Sequence, residues 1–181
     1  AEQLAAFYPD LLDPRFESRF AIFHQRYSTN TFPTWRLAQP FRMLSHNGEI
    51  NTIKGNVNWM AAHETRMVSG SFEGHHDVLF PLIPSGASDS EALDTVFEAL
   101  VHAGREVPLV KLLLVPDAWS NKIEMPEAHR AMFAYCNCVM EPWDGPASIA
   151  FTDGVVIGAV LDRNGLRPSR YYVTKDDMVV M

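Results

Sequence analysis

SHNGEIN, residues 45–51, holds an Asn-Gly pair. Asn-Gly is the strongest short signal for a two-residue hairpin turn, because both central residues must accept positive φ. The preceding FRML (41–44) reads as a short strand running into that turn. The same geometry suits a second task. A tight turn exposes backbone N–H groups, and the side-chain amide of Asn47 adds a donor beside the N–H of Gly48. Two donors aimed at one point make an oxyanion hole. Local sequence leaves both readings open.

Upstream, FAIFHQRY (20–27) is rich in apolar and aromatic residues and predicts a buried strand. A loop broken by Pro33 and Pro40 separates it from FRML. Downstream, helical spacing is expected from Asn56 to about Val68. The clearest helix is SDSEALDTVFEALVHAG (88–104), where Ser88 and Glu91 have capping-box spacing. Leu93, Val96, Phe97, Leu100 and Val101 form its apolar stripe, and Gly104 ends it. PLVKLLLV (108–115) suits a helix opened by proline or a buried strand, and another helix runs from Pro126 to about Val139. The remainder reads as strands at 147–152, 155–161, 170–174 and 178–181, with hairpin signals at Asp153-Gly154 and Asn164-Gly165. Strands, then helices, then strands predict an α+β domain spanning 1–181.

Arg26 falls at the end of the first predicted strand. A buried guanidinium needs a partner, which is either a structural carboxylate or a ligand carboxylate gripped by its bidentate fork. Asp89 sits in the first turn of the 88–104 helix, where it favours the helix dipole. Because Ser88 is the cap, Asp89 is free to face elsewhere. Arg26 and Asp89 together supply the two charges that a zwitterionic α-amino acid needs. DRNGLRPSRYY (162–172) carries three arginines around a glycine turn, suited to an anion or to a solvated rim.

A net charge of −7 argues against nucleic-acid binding. No apolar run reaches the ~18 residues of a membrane helix. Cys136 and Cys138 are the only cysteines. One intervening residue strains a mutual bridge, so a reduced, intracellular protein is expected. Neither a zinc pattern, H-E-x-x-H, G-x-S-x-G nor a Walker loop is present, and no metal is expected.

Taken in order, HQRYSTNTFPTW, PFRMLSHNGEINTIKGNVNWM, SDSEALD and DGPASIAFTDG with LDRNGLRPSRYY resemble the glutaminase domain of the glutamate synthase large subunit. That domain is a class II glutamine amidotransferase of the N-terminal nucleophile hydrolase superfamily. The resemblance runs from about Phe7 to the end. It implies a four-layer αββα sandwich. It also implies that Arg26 holds the glutamine α-carboxylate, Asp89 the α-ammonium, and Asn47 and Gly48 the oxyanion.

The implied reaction is hydrolysis of L-glutamine to L-glutamate and ammonia. The ammonia passes to a synthase site that aminates 2-oxoglutarate with FMN, an iron–sulfur cluster and a reductant. Those cofactors are expected in other domains of the parent enzyme and none in this one. The expected location is cytoplasmic, or a plastid in a photosynthetic eukaryote. In the family the nucleophile is an N-terminal cysteine, whereas residue 1 here is Ala. The chain therefore reads as an interior piece, incomplete at its N-terminus, inactive alone and poorly stable because sheet edges are exposed. The alternative is a glutamine-binding module that lacks the nucleophile.

Overall fold

The computed structural model describes residues 2–28, 30–119 and 124–181. Among them six α-helices form: α1 (Glu2–Phe7), α2 (Ile53–Glu64), α3 (His76–Leu79), α4 (Asp89–His102), α5 (Val107–Leu114) and α6 (Glu127–Val139). Ser88 caps α4 as its spacing predicts, its Oγ accepting from the Glu91 N–H at 3.0 Å. Only half of the capping box closes, because the Glu91 carboxylate turns outward to Arg36 at 2.6 Å. The helix ends where Gly104 and Arg105 donate back to the carbonyls of Val101 and Leu100. PLVKLLLV resolves as helix, with Val110, Leu113 and Leu114 inward. The helix expected over 56–68 starts and stops earlier, at Ile53 and Glu64.

Three antiparallel strands, β1 (Leu44–Gly48), β2 (Ala147–Thr152) and β3 (Ile157–Leu161), form a sheet in that order. Two short strands, β4 (Tyr172–Val173) and β5 (Val179–Val180), pair separately. The Asp153-Gly154 signal is correct: Asp153 Oδ1 accepts from the N–H groups of Val155 and Val156 inside the β2–β3 hairpin. Three other expectations fail. FAIFHQRY is not a strand; Phe23 is 77% exposed, and the segment makes only an isolated bridge from Tyr27 to Ala38. An apolar run forms a strand only where a ladder partner lies beside it. Asn164-Gly165 is a turn but joins no hairpin; it wraps the buried Asp162 carboxylate, which accepts from the N–H groups of Ala147, Asn164, Leu166 and Arg167. Asn47-Gly48 is not a turn at all. Both residues lie in β1, opposite Ser148 and Ala147.

Alternation gives the sheet two unlike faces. Leu44, Ile149 and Phe151 point into the core with Val96 and Phe97 of α4 and Val110 and Leu114 of α5. The rings of Phe97 and Phe151 meet at 5.5 Å. The register puts Asn47, Ser148 and Leu161 in one row on the other face, with Ala150 and Ala159 in the next.

The outer edge of β1 is closed by side chains. The Glu49 and Thr152 N–H groups donate to Pro146 and Met43 across the β1–β2 ladder. Odd-numbered residues of β1 therefore bond to β2, and even-numbered ones turn their N–H groups outward. Leu44 donates to Asp94 Oδ1 at 2.9 Å, His46 to Gln39 Oε1 at 2.8 Å, and Ile50, just past the strand, to Asp89 Oδ2 at 2.8 Å. Asp94 also takes the N–H groups of Met43 and Arg42, at 2.9 and 3.2 Å. Burial raises the Asp94 pKa above the ordinary carboxylate value, and these three donors oppose that rise. Asp94→Ala leaves three N–H groups without their acceptor at 1–3 kcal/mol each when buried, so a loss of about 3 kcal/mol or more is expected. Urea denaturation of the full-length protein checks it; an unchanged midpoint refutes the strap.

Candidate functional site

The β1 edge points directly at the sequence-predicted residues. Of the four outward N–H groups, at 44, 46, 48 and 50, that of Gly48 alone has no acceptor among the described residues. Gly48 is buried at φ +151°, and a Cβ there would run into the Pro146 carbonyl. Gly145 mirrors it, at φ +152° and pressed on the Glu49 carbonyl. The two glycines let the ends of β1 and β2 approach more closely than side chains permit. Asn47 is exposed, on the sheet face away from the core.

Beyond Gly48 the chain is laced in place. Asn51 N–H donates to the Asp144 carbonyl at 2.7 Å, Asp144 N–H donates to Thr52 Oγ1 at 2.9 Å, and Asn56 Nδ2 donates to the Pro142 carbonyl at 3.1 Å. The laced segment forms one wall of a cavity of ≈ 240 Å³. Glu49, Ile50, Asn51 and Ile53 line that wall, Ala87, Ser88 and Asp89 another, and Asn30 and Thr31 a third.

Asp89 is less free than its sequence position suggests. Its Oδ2 accepts from Ile50 N–H and its Oδ1 from Ser90 N–H at 2.8 Å, so the carboxylate is held at the cavity wall by backbone donors. Arg26 is exposed rather than buried, because the segment carrying it is not a sheet strand. It has no carboxylate partner among the described residues and does not line the cavity. Its position is nonetheless tied to the site. Two residues on, Ser28 N–H donates to the Leu37 carbonyl, and Ser28 Oγ accepts from Ser88 Oγ at 3.0 Å.

The structure thus brings Asp89 and the Gly48 edge together, sets Asn47 on the adjoining face, and leaves Arg26 at the margin. Sequence reasoning missed Gln39, His46, Asp94 and Asp162. Asp94 had a legible signal, since a carboxylate at the 90–94–97 spacing shares the inward face of α4; Gln39 and His46 had none. Of the three arginines in DRNGLRPSRYY, Arg163 proves structural, reaching the Pro116 carbonyl at 3.0 Å and Asp144 at 3.2 Å. Burial alone would raise the Asp162 pKa, but its four backbone donors together hold it below the ordinary value.

Cys136 is buried and Cys138 exposed; two residues apart on α6, they face different sides. Burial pushes the Cys136 thiol up. Among the described residues no group of three or more His, Cys, Asp or Glu could hold a metal ion, and no helix is long and apolar enough to cross a membrane.

Comparison with known proteins places the chain in a family. The chain is 63% identical over 180 residues to the glutamate synthase [NADPH] large chain of Azospirillum brasilense. It is 52% identical over 179 residues to that of Bacillus subtilis, and 48% identical over 183 residues to the chloroplastic ferredoxin-dependent glutamate synthase 2 of Arabidopsis thaliana. Each alignment covers 99% of this chain but only 12%, 12% and 11% of the relative. The family profile of the class-II glutamine amidotransferases matches residues 1–181. The chain belongs to the class-II glutamine amidotransferases.

Proposed function

We propose that this chain is the substrate-recognition and oxyanion-stabilising part of a glutaminase domain within a glutamate synthase. The observation that carries the reading is the uncommitted Gly48 N–H, one residue from the cavity wall on which Ile50 N–H fixes the Asp89 carboxylate. A glutamine placed there meets an anion for its α-ammonium at Asp89. Arg26, at the margin, supplies the cation for its α-carboxylate. Asn47 Nδ2 and Gly48 N–H donate to the side-chain amide oxygen as it becomes an oxyanion.

A thiolate attacks the amide carbon, the C–N bond breaks with proton transfer to nitrogen, and ammonia leaves. Water then cleaves the glutamyl thioester, releasing glutamate and the thiol. Neither Cys136 nor Cys138 lines the cavity, so the attacking thiol is assigned to the parent protein outside these 181 residues. Two cysteines on one helix do not fit an iron–sulfur cluster, which takes four thiolates. The flavin and cluster of the synthase reaction are accordingly proposed for other domains. The fold is proposed to be a four-layer αββα sandwich. Supporting this, the sheet face bearing Asn47 also exposes Ile157 and Leu161, at 47% and 40%. A cytoplasmic or plastid location is proposed.

The test is steady-state glutaminase kinetics of the full-length parent protein. Arg26→Ala and Asp89→Ala each remove a charge-assisted contact worth about 1.5–3 kcal/mol, so KM for glutamine is expected to rise about 10- to 100-fold. If both variants bind glutamine as tightly as the wild type, the site is wrong. Glutamine binding without turnover in the wild-type protein would favour the binding module over the enzyme.

A further inference from the structure

The His46 imidazole is only 2% exposed, and neither ring nitrogen has a hydrogen-bond partner among the described residues. Buried polar atoms without partners are rare and call for a reason. The placement follows from the strand. Alternation along β1 turns His46 to the core face, and Gln39 Oε1 holds its backbone N–H. From there Nε2 lies 3.9 Å from Asp89 Oδ2, the same oxygen that accepts from Ile50 N–H. The ring therefore stands directly behind the carboxylate that lines the cavity.

We propose that His46 is a positioning residue for Asp89: its neutral imidazole steadies the carboxylate from behind, and its protonation cancels the charge that holds a ligand's α-ammonium. The inference rests on the reading of Asp89 as the ammonium-binding group. Nε2 is the nitrogen facing the carboxylate, so the neutral tautomer with its proton there points an N–H dipole at the anion. The charged and titratable groups whose fields reach the ring are Asp89 from α4 and, from loops, His24 and Arg167. Burial is the strongest influence and holds the ring below the ordinary histidine value of 6.5; Asp89 opposes it, while His24 and Arg167 reinforce it. At neutral pH the ring is uncharged. A proton forced onto the ring creates a buried ion pair with little screening. An incoming ammonium then meets a neutralised carboxylate. Because the histidine pKa is depressed, this loss belongs to acid pH and is absent above the ordinary value.

The experiment compares wild type, His46→Gln and His46→Leu in the full-length enzyme. It measures kcat and KM for glutamine from pH 7.5 to pH 5, with thermal melting alongside. Gln keeps an N–H donor that does not titrate, and Leu keeps only volume. Wild-type KM is expected to rise as the pH falls towards 5, and His46→Gln to lose that rise while KM at pH 7.5 increases about threefold. His46→Leu is expected to raise KM at pH 7.5 more than His46→Gln does, with kcat within about twofold, because the carboxylate loses the N–H dipole behind it. Binding of a glutamine analogue lacking the α-amino group should not depend on position 46. A flat wild-type KM profile, a His46→Gln profile identical to wild type, or a fall in kcat instead of a rise in KM overturns the proposal. Should His46→Leu fail to fold, the His46→Gln profile decides alone. Asp89→Asn separates the two readings. If it leaves KM unchanged, the Asp89 reading fails. If it raises KM while the His46 variants match wild type throughout, only the His46 inference fails.

Discussion

Gly48→Ala in the full-length protein is expected to lose both stability and glutaminase turnover. The added methyl would overlap the Pro146 carbonyl, which is backbone immediately before β2 and cannot swing aside as a side chain could. The residue would also have to hold φ +151°, which side chains rarely adopt. Overpacking of this kind costs about 1–3 kcal/mol and a disfavoured backbone conformation about as much again. Relief requires β1 and β2 to part at their ends, which shifts the Gly48 N–H and the Glu49–Asn51 cavity wall. The expected result is a thermal midpoint several degrees lower, with turnover reduced at temperatures where the variant is still folded. Wild-type melting and turnover together would refute the close approach.

Asn47→Ala separates chemistry from folding. Its side chain is exposed and makes no hydrogen bond to another described residue, so melting should be unchanged. Removing one oxyanion donor typically costs about 2.7–4 kcal/mol of transition-state stabilisation, or about 10²–10³ in kcat. Because the oxyanion exists only beyond the ground state, KM should stay within a few-fold. Rapid-quench or steady-state measurement of glutamate release checks this. Unchanged turnover in Asn47→Ala would remove the oxyanion role from this residue.

Much of the helical structure was legible from short-range chemistry. Ser88, the Leu93–Val96–Phe97–Leu100 stripe and Gly104 are all local instructions, and α4 obeys each within a residue. The Asp153-Gly154 hairpin was legible for the same reason. FAIFHQRY misled because apolar composition signals burial without naming a partner, and strand identity is a property of pairs. Arg26 was misplaced with it. Asp89 was placed at the correct helix end, but its bond to Ile50 N–H joins residues 39 positions apart, which no local pattern contains.

The sequence by itself determined α4, α6, most of α2 and the β2–β3 turn. Those depend on caps, stripes and spacing within a few residues of each other. Only the tertiary structure decided what Asn47-Gly48 is. Locally the pair favours a turn. Opposite Ser148 and Ala147 it gains ladder hydrogen bonds instead, and the closeness of Pro146 makes glycine necessary there. Tertiary structure likewise decided that Gln39, Asp94 and Asp89 would close the β1 edge on either side of Gly48. One N–H is left unclaimed beside the cavity because every neighbouring donor was satisfied by a side chain from elsewhere in the chain.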